Sequence, residues 1–268
     1  MKKVISVLAC WVVLGSSYPA NASGESIGSI SHIHNVKVMG KTILLGTHEG
    51  LYILKGENSV SRVGEENLDL MGLSIDGNRI YGSGHPGAGS RLPNPVGLLV
   101  STNAGKSWKK VSLQGKVDFH LLESAGKELY GADSQSGNLL YSNDAGSSWS
   151  NLGNNLFSEV AINPMKRGEA LAIRKGALVW TTNSFKDEKV VSTKLAFTQI
   201  EWSRKTLIAS SGSKIFTSVD QGRTWKTRFT FDKAVGTIAQ SSELLVVITG
   251  SKVWKSMDQG KTFTQFVQ

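Results

Sequence analysis

The chain has 268 residues, 29 of them glycine, with one cysteine, five histidines and a formal charge of +9. With 40% hydrophobic and 19% charged residues it is neither a disordered polyelectrolyte nor a collagen-like repeat, since both are far poorer in apolar side chains. A lone cysteine excludes a disulfide framework and a thiolate zinc knuckle, so a metal would have to rest on imidazole, carboxylate or thioether ligands.

In chain order, Lys2 and Lys3 precede an apolar run from Val4 to Gly15, and the triplet Ala20, Asn21, Ala22 follows. This predicts a secretory signal peptide over 1–22, cleaved after Ala22. The run is too short to span a bilayer, and no comparable segment follows. A lipoprotein reading at Leu8, Ala9, Cys10 fits less well, because so few residues separate the lysines from Cys10. The expected mature protein is periplasmic or extracellular, starts at residue 23, has no cysteine and keeps a positive charge. Its lysines are scattered through turns instead of forming a stripe interleaved with aromatics, which argues against nucleic acid as a partner. An anionic envelope surface, or plain solvation, suits such a charge.

Beyond residue 30 the chain repeats. Ser101-Thr-Asn-Ala-Gly-Lys-Ser-Trp108 recurs as Ser142–Trp149, Ser218–Trp225 and Ser256–Phe263, giving S-x-[DN]-x-G-x-[ST]-[WF] four times. The acidic or amide residue suits a tight turn whose amides it caps, the glycine supplies positive φ, and the aromatic enters the next strand facing the core. This pattern resembles the Asp-box, or BNR, repeat of sialidase-like and sortilin-like β-propellers. Degenerate units occur at Gly50-Leu-Tyr-Ile53, with no box after it, and at Ala177-Leu-Val-Trp-Thr-Thr-Asn183, with a remnant of one. Six units between Ile33 and Gln268 average about 39 residues, the size of a four-stranded blade. The predicted fold is all-β, a single six-bladed propeller over 23–268. Each blade has strands A to D, placed in blade 1 at Ile33–Val38, Thr42–Thr47, Gly50–Leu54 and Ser61–Val63. Length alone leaves a seventh blade open, because the segment from Ser23 to Ser31 is expected to be able to pair with blade 6 and help close the ring.

In such a blade the A–B and C–D turns share one face of the disc, and the B–C loops and D-to-A connections share the other. The boxes, as C–D turns, mark the bottom. All five histidines then fall on the top. His32 and His34 stand at the start of strand A of blade 1, His48 and His85 end strand B of blades 1 and 2, and His120 starts strand A of blade 3. Asp69 and Met71 start strand A of blade 2, and Asp118 precedes His120. Three adjacent blades thus aim imidazoles, carboxylates and a thioether at one sector of the top face. Blade 2 carries the one long B–C excursion, His85–Val96, which holds three of the five prolines and reads as a stiff rim over the channel mouth.

These stretches look like those of small exported bacterial Asp-box propellers, commonly labelled sialidase-like or glycosyl hydrolase. More distantly, the repeats are similar to photosystem II assembly factors, which are non-catalytic. The resemblance implies the fold; a reaction would follow only from a site. Sialidases hold the substrate carboxylate with clustered arginines and pair a tyrosine nucleophile with an acidic residue. Here the Arg-Ile-Pro motif is absent, Arg223 lies in a bottom-face box, and Tyr52, Tyr81, Tyr130 and Tyr141 read as strand residues. The favoured expectation is a non-catalytic propeller whose top face binds a small ligand, a glycan or a transition metal. His32, His34, His48, His85, His120 and Met71 are the metal candidates, and Glu49, Arg91 and Asp133 are further ligand-binding candidates. Imidazole suits copper or zinc, and the Met71 thioether would favour Cu(I). The alternatives are a glycosidase using Asp69 and Asp118 as a carboxylate pair and a scaffold for an envelope protein partner.

Overall fold

The computed structural model describes residues 25–192, 194–204 and 206–266; the expected signal peptide lies outside them. Six antiparallel four-stranded sheets follow one another along the chain and form a six-bladed β-propeller. Blade 1 comprises Ile33–Met39, Thr42–Thr47, Gly50–Leu54 and Ser59–Val63, and blade 2 comprises Leu68–Asp76, Arg79–Pro86, Leu98–Ser101 and Lys109–Ser112. Strand A starts at Phe119 in blade 3, Glu159 in blade 4, Gln199 in blade 5 and Thr237 in blade 6. Among the described residues no helix is long and apolar enough to cross a membrane.

The core is divided among the seams between blades. Six hydrophobic clusters are present, one for each neighbouring pair, including the pair of blades 6 and 1. Side chains alternate along a strand, so Leu44 packs toward blade 2 while Leu45 packs toward blade 6. Both faces of each sheet are therefore covered, and strand B reads as a nearly continuous apolar run. At roughly 25 cal/mol per Å² of apolar surface, these seams are the main stabilising term of the ring.

The box turns carry out the duties their residues suggest. In blade 3 the Ser142 hydroxyl donates to Asp144 Oδ1 at 2.8 Å and accepts from the Gly146 N–H at 2.9 Å, while Asp144 accepts from the Ser148 N–H at 2.9 Å. Gly146 has φ of 85°, and a Cβ there would lie 2.1 Å from Leu98 of blade 2, so glycine is required twice over. The degenerate blade 4 turn keeps the same bonds through Thr181, Asn183 and the Asp187 N–H. Phe185 occupies its glycine position at φ of 59°. Its ring packs against Phe157 and Tyr130 at 4.7 and 5.5 Å, in the seam with blade 3, which offsets the backbone strain.

Ring closure differs from the expectation that the N-terminal segment pairs with blade 6. Glu25 and Ser26 pair with Val60 and Ser59, adding a fifth, outermost strand to blade 1. Blade 6 takes its own outer strand, Thr264–Gln265, from the chain end. Closure therefore rests on side chains: the apolar cluster of the last seam, Ser241 Oγ donating to Gly40 O at 2.6 Å, and Gln265 Nε2 donating to Glu57 Oε1 at 2.8 Å.

Candidate functional site

Strand A of blades 1, 2 and 3 each contains one bulge near its start. Ile33 pairs with Thr47 and Asn35 with Gly46, which leaves His34 as the extra residue. Met71 is extra between Leu70 and Gly72, and His120 between Phe119 and Leu121. A bulge bends the strand and re-aims its side chains. Strands A of blades 4 to 6 pair without any such shift. The three bulges make positions equivalent across blades. Two residues before each stand His32, Asp69 and Asp118, and across the ladder from those stand His48, His85 and Ser134.

Two triads result, each spanning a seam. In the first, His34 Nε2, His48 Nδ1 and Asp69 Oδ1 form a near-equilateral triangle with sides of 3.2, 3.2 and 3.1 Å. Asp69 Oδ1 is buried, and neither imidazole approaches it along a hydrogen-bonding direction. A tetrahedral ion with bonds of about 2.0–2.1 Å holds its donors about 3.3 Å apart. Burial lowers the His34 pKa below the ordinary imidazole value; Asp69 opposes this and His48 and His32 reinforce it, so the ring is held in the neutral form that ligates metals. His32 stands behind, its ring 6.1 Å from His34 and 5.5 Å from His48.

In the second triad, Asp118 Oδ2 lies 3.2 Å from His85 Nε2 and 2.9 Å from His120 Nε2, and all three ligand atoms are within 4.8 Å of one another. Asp118 is buried, its Oδ2 also accepts from Ser134 Oγ at 2.7 Å, and its Oδ1 has no hydrogen-bond partner. Buried polar atoms are nearly always paired, so each triad carries one orphaned carboxylate oxygen.

The other residues singled out in the sequence fall around these triads. Asp133 is buried, with Oδ1 accepting from the Asp118 N–H at 2.9 Å and Oδ2 from the Ser136 N–H and hydroxyl at 3.0 and 2.6 Å. Burial opposes its ionisation, but these bonds hold its carboxyl below the usual range. It thereby fixes the backbone of Asp118. Glu49 accepts from the Ser31 hydroxyl and N–H at 2.5 and 3.2 Å and ties the segment before His32 to the blade 1 turn. Arg91 is exposed on the blade 2 excursion. That loop is bound down: Gly87 N–H donates to Asn67 O at 2.8 Å, Ser90 Oγ to Glu66 Oε1 at 2.9 Å, and Val96 is buried in the seam with blade 1.

Three features escaped the reading of the sequence. Asn94, within the excursion, meets His85 Nδ1 through its Oδ1 at 2.9 Å. Asn35 donates from Nδ2 to the carbonyls of Leu70 and Met71 at 3.1 and 2.9 Å and so binds the blade 2 bulge to blade 1. Below the triads a channel cavity of about 180 Å³ is lined by His34 and His120 at one end and by Lys37, Glu123, Glu159 and Glu201 deeper in. Lys37 Nζ bonds Glu123 and lies 3.7 Å from Glu201. Burial pushes Glu159 up to about 8 and Glu201 up to about 7, with Lys37 opposing both. The signal for this channel lay in single charged residues interrupting apolar strands A, as in Val36-Lys37-Val38 and Ile200-Glu201-Trp202.

The fold and the site together define a six-bladed propeller with histidine and aspartate groups at one sector of its top face. No family model and no curated protein matches the sequence. Solved structures similar to it include propellers. They include YCF48 bound to D1 peptide, with a TM-score of 0.55 at 15% identity over 89% of this chain and 82% of that one. A chain of a nidogen/laminin complex aligns with a TM-score of 0.62 at 10% identity over 85% of this chain and 93% of that one. The GH74 enzyme of Niastella koreensis aligns with a TM-score of 0.57 at 15% identity, over 91% of this chain but 45% of its own. At these identities the likeness concerns the fold.

Proposed function

We propose that this is an exported, non-catalytic propeller that binds a transition-metal ion on its top face, at His34, His48 and Asp69. The observation that carries this reading is the triangle of donor atoms with sides of 3.1 to 3.2 Å around a buried, unsatisfied Asp69 Oδ1. Two imidazoles and a carboxylate suit Zn(II) or Cu(II). Met71 occupies in blade 2 the bulge position that His34 occupies in blade 1, so Cu(I) is the third ion to test.

The carboxylate-pair glycosidase has less support. Asp69 and Asp118 each face two imidazoles, and Asp118 is buried with Oδ2 already engaged by His120 and Ser134. The GH74 likeness carries no residue of a reaction. Docking of a protein segment draws its support from YCF48, a propeller that holds a peptide.

The test is calorimetric titration of metal-free protein, lacking residues 1–22, with Zn(II), Cu(II) and Cu(I). Binding should weaken at least tenfold in His34→Ala/His48→Ala while the thermal transition is kept. Equal affinity in wild type and variant would sink the reading.

A further inference from the structure

The second triad differs from the first in one respect: a residue outside the triad fixes the tautomer of one of its histidines. Asn94 Oδ1 can only accept, so at 2.9 Å from His85 Nδ1 it requires the ring proton to sit on Nδ1. His85 is thereby turned so that Nε2 faces Asp118 Oδ2 at 3.2 Å. An imidazole nitrogen and a carboxylate oxygen that converge in this way can both ligate a cation placed between them. Metal-ligating histidines characteristically donate their other N–H to such an outer acceptor, which orients the ring and raises its basicity.

The surroundings are built to the same end. Ser134 Oγ holds Asp118 Oδ2 from one side, and Asp133 holds the Asp118 backbone N–H. Asp118 is a buried carboxylate with Oδ1 left free of any partner. The third ligand, His120, bonds Asp118 Oδ2 through Nε2 at 2.9 Å. An incoming ion takes the place of the proton in that bond, and the neutral ring keeps its one proton on Nδ1 while Nε2 ligates. Asn94 is itself delivered by the blade 2 excursion, whose contacts to Asn67 and Glu66 tie it down.

We infer that His85, Asp118 and His120 form a second metal-ion site, separate from His34, His48 and Asp69, and that Asn94 is its positioning residue. This extends the reading above without depending on the first triad. Both sites lie at the channel mouth, where His34 and His120 line one cavity, so the protein takes up two ions from the same side.

The experiment is equilibrium dialysis of the mature-length protein against Zn(II), with bound metal measured per chain and folding followed by circular dichroism. Wild type should bind two equivalents, His85→Ala/His120→Ala one, and His34→Ala/His48→Ala one. Asn94→Leu should weaken one of the two equivalents 10- to 100-fold, whereas Asn94→Asp, still an acceptor, should restore it; a merely structural role would shift both equivalents and the melting curve together. Two equivalents surviving in His85→Ala/His120→Ala would overturn the second site. A single wild-type equivalent lost in both double variants would overturn the separation of the two. Two equivalents surviving in His34→Ala/His48→Ala, with one lost in His85→Ala/His120→Ala, would instead remove the first site and leave this one standing.

Discussion

Blades 1 to 3 and blades 4 to 6 share strand order, seams and turns, yet differ at the channel mouth. Strand A runs for seven, nine and seven residues in blades 1 to 3 and for four in each of blades 4 to 6. The extra length carries the three bulges, with His34, Met71 and His120 as the inserted residues, and Asp69. The B–C connection spans 87–97 in blade 2 but only 175–176, 212–213 and 250–251 in blades 4 to 6. Chemistry has been added to this fold by prolonging the innermost strand past the disc and inserting one residue there, while the interlocking seams below stay uniform.

The sharpest way to break this comparison is a matched pair of glycines. Gly84 has φ of 134°, and a Cβ on it would lie 2.0 Å from Asp69 O, so Gly84→Ala should cost about 3 kcal/mol or more and disturb both triads. Gly236 in blade 6 has no positive φ, and its nearest neighbour would be Ile248 O at 3.6 Å; Gly236→Ala should stay within about 0.5 kcal/mol. Urea unfolding of both variants decides whether the two halves differ in backbone tolerance as described.

A smaller effect is expected at Asn35. Asn35→Ala strands the carbonyls of Leu70 and Met71, at a cost of about 2 kcal/mol. It should loosen metal binding at the first triad more than at the second, because only the first spans the seam that Asn35 bridges. Equal weakening of both would show that the bulges are coupled around the whole mouth.

A pH-dependent effect concerns blade 4. The folded chain retains the Glu159 proton up to about pH 8, whereas the unfolded chain loses it near the ordinary value of 4.5. Between these values unfolding releases a proton, so stability falls as pH rises. Of the charged groups that face Glu159, Lys37 opposes this shift, and Glu123 and Glu201 reinforce it. Glu159→Gln should lose this pH dependence, being more stable than wild type at pH 9 and indistinguishable below pH 4.5, with ion uptake unchanged. A thermal scan series across pH measures it; a wild type whose stability does not fall across this range would refute the assignment of the channel charge to Glu159.

Much of this was legible in the sequence. The four boxes and the two degenerate units together indicated six blades, because most of the turns keep their capping residue and glycine, and blade 1 strands fall within two residues of expectation. The grouping of histidines on one sector followed from strand order. The bulges were not legible: a one-residue insertion leaves no compositional mark, and only ladder register distinguishes His34 from a regularly paired residue. The division of one expected cluster into two triads was hidden for the same reason, since Asp69 and Asp118 each join a histidine of the preceding blade across a seam. Asn94 lay in plain view within a proline-rich loop, but its partner His85 is fixed by the fold of that loop. Blade 4 misled in the opposite direction, because Phe185 moves the missing aromatic into the glycine position.

The chain ends also bear on how such a ring is assembled and inherited. Every blade is spun from one unbroken stretch of polypeptide, and the spare N-terminal strand reinforces blade 1 without reaching across to blade 6. Among the described residues the circle thus has no clasp. Cutting between any two blades and joining the old ends through a linker would leave each sheet intact, and growth or loss of the ring by whole units requires no strand to change partners.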